Sequence, residues 1–164
     1  MILSHEHQSD PALAAWWFLA RAYHALLHAM SDFFQEHGIT GAQFGVMRCV
    51  DEAGPEGLPL SHLSERLMVS CGNITGVVDR LEQSGYLQRE RSQTDRRVVY
   101  ARLTERGRAF YRRILPEYRA RVRELLATLA PAEQQRLAEL CCALYVATHR
   151  EPVGATAARS KQEP

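Results

Sequence analysis

Between Leu60 and Leu103 the chain changes its pattern once, at Gly85, and that change limits what the stretch can become. Before it lie two short runs with apolar residues at helical spacing: Leu60, Leu63, Leu67 and Met68, then Ile74, Val77, Val78 and Leu81. Ser61 and Ser70 stand where helix N-caps belong, and Gly85 stands where a helix stops. After it come two strand-like runs, Tyr86 to Arg91 and Val98 to Leu103, joined by the polar tip Ser92-Gln-Thr-Asp-Arg-Arg97. The spacing predicts a helix-turn-helix followed by a two-stranded β-wing.

The second of these helices has an odd outer face. Gly72, Asn73, Thr75, Gly76, Asp79 and Arg80 lie largely off its apolar stripe. An ordinary solvent face carries Glu, Lys and Ala, whereas Gly, Asn and Thr weaken a helix. Small residues let a helix approach another surface closely. Asn, Thr and Ser bond base edges and phosphates, and free N–H groups at a helix N-terminus suit a phosphate oxygen. The competing reading is a helix packed through its glycines inside its own domain. The wing tip poses a similar choice. Arg96 and Arg97 repel each other there unless they meet phosphates or a narrow minor groove. Asp95, two residues before Arg97, is placed to brace it; the blander reading is a solvated surface ion pair.

Charge favours the nucleic-acid reading. From Tyr86 to Arg113 nine arginines face only Glu90, Asp95 and Glu105, a net of +6 in a chain whose total is +1, which leaves −5 for the rest. One concentrated basic stretch in a near-neutral chain is the footprint of a nucleic-acid binder.

On these residues the sequence resembles the multiple-antibiotic-resistance regulator (MarR) family of winged-helix transcription factors. The resemblance is carried by Leu60-Ser-x-Leu-Ser-x-x-Leu67, Ser70-x-Gly-Asn-Ile-Thr-Gly-Val-Val-Asp-Arg-Leu-Glu82, Gly85-Tyr-Leu87, Asp95-Arg-Arg97 and Leu103-Thr-x-x-Gly107, and it covers Asp10 to His149. It implies a homodimer on double-stranded DNA, one recognition helix per subunit in the major groove and the wings near the minor groove. It implies base and phosphate contacts from Ser70, Gly72, Asn73, Thr75, Gly76 and Arg80, with Asp95, Arg96 and Arg97 on the wing. It also implies an effector pocket between dimer helices and winged helix, often for aromatic acids or phenolics. Trp16, Trp17, Arg21, Tyr23, His24, Arg48 and Tyr111 are the candidate lining, since an arginine beside aromatics suits an aromatic carboxylate.

The flanking segments are helical. Asp10-Pro11 opens a helix that runs to about His37, with Gly38 as its stop. Two adjacent apolar stripes run along it, one with Leu13, Trp17 and Leu27, the other with Trp16, Leu19, Tyr23, Met30 and Phe33. A helix buried over so wide an arc needs more cover than one chain of 164 residues supplies, which points to a dimer partner. Thr40 and Gln43 form a capping box for a helix ending near Ala53-Gly54, and Pro55 to Pro59 reads as a loop. Thr104 caps a helix of Glu105 to about Leu129, in which Pro116 should introduce a bend. Pro131 opens the last helix, with Ala130 a weak cap. The expected organisation is a loose tail at 1–9, a winged helix at 39–103, an intertwined dimerisation region at 10–38 and 104–149, and a disordered tail at 150–164.

Other chemistry has little support. His24 and His28 are four apart, a metal-binding spacing, but no third ligand follows in register. Cys71 at the start of the recognition helix is a candidate redox thiol, and a small buried residue is the plainer reading. The family's hydroperoxide-sensing branch carries its reactive cysteine in the first helix, where this chain has none. Cys49, Cys71, Cys141 and Cys142 lack C-x-x-C spacing, so a reduced cytoplasm is the expected compartment. No apolar run approaches the roughly 20 residues that span a bilayer. No phosphate loop, nucleophile elbow or paired carboxylates suggest an enzyme, and no motif implies a cofactor. The expected function is a DNA-binding, ligand-responsive repressor. The alternatives are a thiol or metal sensor on the same scaffold, or a winged helix used for protein contacts.

Overall fold

A computed structural model describes residues 10–67, 71–95 and 97–149, with only the backbone of Cys71 and His149. The segments 1–9 and 150–164, together with Met68, Val69, Ser70 and Arg96, lie outside the described residues. The chain divides into two compact units, one ending at Val122 and one starting at Arg123.

The first unit opens with α1 (Pro11–Glu36), whose N-cap Asp10 accepts from the N–H groups of Ala12 and Leu13. Gly38, at φ +68°, closes it: Gly38 N–H donates to Gln35 and Ile39 N–H to Phe34, satisfying two carbonyls that the helix end would leave free. Helix α2 (Gly41–Ala53) starts on the expected capping box, with Thr40 and Gln43 each bonding the other's backbone N–H. Strand β1 (Leu58–Pro59), helix α3 (Leu60–Leu67), helix α4 (Cys71–Gln83) and strands β2 (Leu87–Arg91) and β3 (Val99–Leu103) follow. Helix α5 (Glu105–Leu126) crosses from the first unit into the second, and α6 (Pro131–His149) follows.

The sheet has three strands, not two. β1 pairs antiparallel with β3, Leu58 opposite Ala101, so the order is β1-β3-β2. A two-residue edge strand ending in proline carries no alternation to read, and proline is tolerated there because an edge N–H has no partner to lose. Gly57 makes the approach practicable: its φ is +74°, and a Cβ there would lie 2.4 Å from the Ala101 carbonyl oxygen. Ser61 also differs from expectation. The helix already begins at Leu60, so Ser61 sits in its first turn, and its carbonyl accepts from Ser64 Oγ at 2.6 Å.

The core joins the helix-turn-helix to the sheet. Met47 and Val50 of α2, Leu63 of α3, Val78 and Leu81 of α4, and Leu87 of β2 are almost fully buried. An aromatic cluster fastens the end of α1 to this core: Phe34 and Tyr118 both pack on Phe44, with centroids 5.5 and 4.4 Å away. His37 adds a polar tie, with Nδ1 2.8 Å from the Phe33 carbonyl and Nε2 3.3 Å from Glu117.

In the second unit, the weak cap at Ala130 is compensated from inside the helix. Glu133 accepts from the Ala130 N–H at 2.7 Å, and Gln134 Nε2 donates back to the carbonyls of Leu126 and Leu129.

Candidate nucleic-acid interface

Helix α4 is amphipathic in the way its sequence implies. Ile74, Val77, Val78 and Leu81 are buried, while Gly72, Asn73, Thr75 and Arg80 are exposed and Gly76 is half-buried. The glycines distinguish the two readings of this helix. Among the described residues, nothing lies within 4 Å of a Cβ built at Gly72 or at Gly76. Neither glycine is required by a contact among the described residues. Asn73, Thr75 and Arg80 stay exposed beside them.

The end of α4 is fixed tightly to the base of the wing. Gly85, at φ +70°, donates to the Glu82 carbonyl, and Tyr86 N–H to that of Leu81. Thr104 then does three jobs. Its N–H donates to the Tyr86 carbonyl, its hydroxyl donates to the Gly85 carbonyl at 2.7 Å, and its Oγ1 accepts from Gly107 N–H as the N-cap of α5. Gly107 packs so close to the Tyr86 backbone that a Cβ would overlap its carbonyl oxygen. The Leu103-Thr-x-x-Gly107 motif is therefore a joint between recognition helix, wing and α5.

At the tip, Ser92 Oγ accepts from the N–H groups of Thr94 and Asp95, and Val98 N–H donates to the Asp95 carbonyl. Asp95 Oδ1 accepts from Arg97 twice, from its backbone N–H at 3.0 Å and from Nε at 3.3 Å. The bracing pair exists, held within a turn. Arg97 remains 91 % exposed, so the carboxylate orients it without covering it.

The other arginines of the basic stretch are partly spoken for. Arg102 lies beside Glu90 and Glu56, and Arg108 beside Asp51. Arg106 and Arg113 stack over the rings of Tyr86 and Phe110. Arg89 of β2 reaches across to α4, with Nη2 2.6 Å from Asp79 and Nη1 2.7 Å from Glu82. Burial disfavours its charge, yet the bonds to Asp79 and Glu82 outweigh this and raise its pKa above the ordinary arginine value. Composition counted these charges; it could not see that several are neutralised inside the domain.

The seven residues expected to line an effector pocket stand in different surroundings among the described residues. Tyr111 is buried in the core, its ring 5.4 Å from that of Phe44, because it shares the inward face of α5 with Phe110 and Ile114. Arg48 is exposed and lies 3.7 Å from Glu52 on its own helix. Trp16, Arg21 and His24 are exposed, and Arg21 lies over the half-buried Trp17 ring. Of the set, Tyr23 lines a cleft beside α4. This cleft, of about 440 Å³, is lined by the aliphatic Leu27, Leu67, Ile74 and Val77, the small Gly41, Ala42 and Gly45, and the polar Asn73 and Arg80. Leu27 and Leu67 were open to sequence reasoning as site residues only through their neighbours in space.

His24 and His28 are both exposed, and no group of three or more metal-donating side chains occurs among the described residues. Cys49 is buried, and burial is the main cause that pushes its thiol pKa up. The side chain of Cys71 lies outside the described residues. No helix among the described residues is long and apolar enough to cross a membrane.

A helix-turn-helix whose second helix offers a bare face, flanked by an arginine-tipped hairpin, defines a winged-helix DNA-binding protein. Comparison with known proteins agrees. A model of the MarR family matches residues 39–99. The HTH-type transcriptional regulator MhqR of Bacillus subtilis is 31% identical over 132 residues, 80% of this chain and 90% of that protein. Among solved structures, AbsC, a MarR family transcriptional regulator from Streptomyces coelicolor, superposes with a TM-score of 0.75 at 27% identity, covering 91% of this chain and 97% of that one. PcaV, a transcriptional regulator from the same organism solved with its natural ligand, gives a TM-score of 0.73 at 26% identity, covering 90% and 99%. The chain belongs to the MarR family. It is a DNA-binding transcriptional regulator.

Proposed function

We propose that the chain acts in the cytoplasm as a homodimeric repressor, each subunit reading half of a pseudo-palindromic operator and releasing it when a small molecule binds. The observation that carries the DNA-reading half is the open face of α4. Glycines that no contact among the described residues requires sit beside Asn73, Thr75 and Arg80, which suits a surface outside the chain. Asn73 and Thr75 supply groups for base edges, Arg80 for phosphate or guanine. Arg97, together with Arg96, contacts the minor groove in this reading, and Ser70 a phosphate.

The dimer is supported by what one chain leaves uncovered. Trp16 is 74% exposed on α1, and Leu144 is 54% exposed on α6. A second copy covers both surfaces, and a two-fold dimer sets two reading helices about 34–36 Å apart, one turn of duplex. Such a dimer occludes the stretch it binds, which is the simplest route to repression.

The effector reading moves from the seven expected residues to the cleft beside α4. Its walls are aliphatic, and its polar groups are the Tyr23 hydroxyl, Asn73 and Arg80. That combination fits an aromatic carboxylate or a phenolic. Asn73 and Arg80 belong to the proposed DNA face as well, so an occupant binds the two states unequally, as any such switch requires. The PcaV structure, with its natural ligand, makes a small-molecule effector a reasonable expectation for a relative.

The deciding experiment is selection of duplexes from a random pool by purified protein. The expected product is an inverted repeat bound by two chains. Recovery of no sequence preference, at any salt tested, would overturn the reading in favour of a protein-contact module.

A further inference from the structure

Arg89 sits in the basic stretch, on the strand leading to the wing tip, and looks like one more phosphate contact. Its surroundings argue otherwise. Its guanidinium bonds Asp79 at 2.6 Å and Glu82 at 2.7 Å, and Nη2 also donates to the Thr75 carbonyl at 3.3 Å. Its backbone N–H donates to the second oxygen of Glu82 at 3.0 Å. Thr75, Asp79 and Glu82 follow one another at i, i+4 and i+7, so the side chain lies along one face of the recognition helix for two turns. Two carboxylates surround its single positive charge, and its side chain is only 25 % exposed. Little potential is left to attract a phosphate.

The position matters more than the charge. Helix α4 and strand β2 meet at the Gly85 turn, and Thr104 secures that turn at its base. Arg89 ties the two elements again further out, three residues before Ser92 begins the tip. Two fastenings at different distances from a corner fix its angle, where one leaves it free to flex. We propose that Arg89 is a positioning residue: it sets the angle between reading helix and wing, and so determines how sharply the protein discriminates its own duplex from others. The inference rests on the DNA-reading function proposed above.

The test uses the full-length protein and two probes: a duplex recovered by the wild type from a random pool, and a scrambled duplex of the same length. Affinities are measured between about 50 and 200 mM salt, a range over which phosphate contacts reveal themselves as a slope. All are read at a temperature where circular dichroism finds every variant folded. For Arg89→Gln, the ratio of the two affinities falls about tenfold or more, as when one good base contact is lost. The salt slope stays within about half a unit of wild type, against a change of about one for a lost phosphate contact. Arg89→Lys, which keeps the charge but cannot fork between two carboxylates, restores less than half of that loss. Asp79→Ala/Glu82→Ala leaves Arg89 in place and frees its charge, and it also lowers the ratio.

Equal losses on both duplexes with a slope reduced by about one would make Arg89 a phosphate contact and overturn the proposal. So would a ratio that holds or rises in the double variant, which keeps the test alive if Arg89→Gln fails to fold. If the wild type itself shows no preference between the probes, the underlying DNA-reading function fails instead, and the two failures are told apart on the first measurement.

Discussion

The winged helix and the long helices outside it solve the problem of apolar surface in opposite ways. In the winged helix, Met47, Leu63, Leu81 and Leu87 are sealed inside one chain, with capped helices and a paired sheet around them. On the first half of α1 and along α6, residues of the same kind stand open: Leu13, Trp16, Leu19 and Tyr23 on one, Leu137, Leu140, Leu144 and Tyr145 on the other. A 26-residue helix that buries only Met30 and Phe33 in its own chain does not owe its amphipathic sequence to that chain. One region is complete alone; the other leaves apolar surface that the proposed partner would cover.

That contrast is most directly broken at α6. In Leu140→Glu/Leu144→Glu, two charges enter each subunit's proposed interface without partners. A buried, uncompensated charge costs about 3–5 kcal/mol, so the dimer's dissociation constant rises by more than about a thousandfold. Sedimentation should show monomers at micromolar concentration while the helix-rich circular dichroism spectrum persists. A wild-type protein already monomeric under those conditions would remove the partner from the account.

The reciprocal change belongs in the core. Leu81 of α4 has no exposed surface, and Leu81→Ala leaves a cavity costing about 2–5 kcal/mol. Leu144→Ala offers the comparison: its cost acts through association, so it should raise the dimer's dissociation constant, which Leu81→Ala should leave near that of the wild type. If Leu81→Ala weakened association as much as Leu144→Ala, the claim that the winged helix is complete alone would fail.

How much of this was legible in the sequence follows the same division. Local signals came through. Asp10, Thr40 with Gln43, Gly38 and Gly85 all act at the helix ends where their chemistry put them. Features that need two distant segments did not. The strand at Leu58 exists only because β3 lies beside it, and Glu133 rescues a cap that Ala130 alone makes weak. Counting arginines gave the right sign for the wing but too large a free charge, because Asp79, Glu82, Asp51 and Glu56 lie outside the counted stretch. Tyr111 was assigned to a pocket by residue type, whereas its helical phase beside Ile114 turns it inward.

A smaller effect tests the exposed tip against the buried joint. Arg97 makes one exposed ion pair, worth about 0.2–1 kcal/mol, so Arg97→Ala should hardly alter stability. It should weaken duplex binding and reduce the salt slope by about one. Asn73→Ala, by contrast, should relax sequence preference more than it lowers affinity for a scrambled duplex. Exchanged phenotypes would mean that the wing reads bases and the helix only anchors.

The smallest effect concerns Tyr111, and it distinguishes a core tyrosine from a ligand-binding one. Burial raises its pKa, and the carboxylates of Asp51 and Glu52 raise it further, against Arg48 and Arg119. Its unfolded value is about 10. Below that, the phenol is neutral in both states and contributes no pH dependence. Above it, the unfolded chain gives up its proton while the folded chain retains it, so stability falls as pH climbs from the unfolded pKa through the folded one. Tyr111→Phe removes this contribution, and the alkaline limb of a stability–pH profile should become shallower. Duplex release by an aromatic acid should be unaffected, because Tyr111 packs on Phe44 rather than lining the cleft beside α4. A variant that keeps the wild-type alkaline limb but loses its response to the acid would return Tyr111 to the pocket.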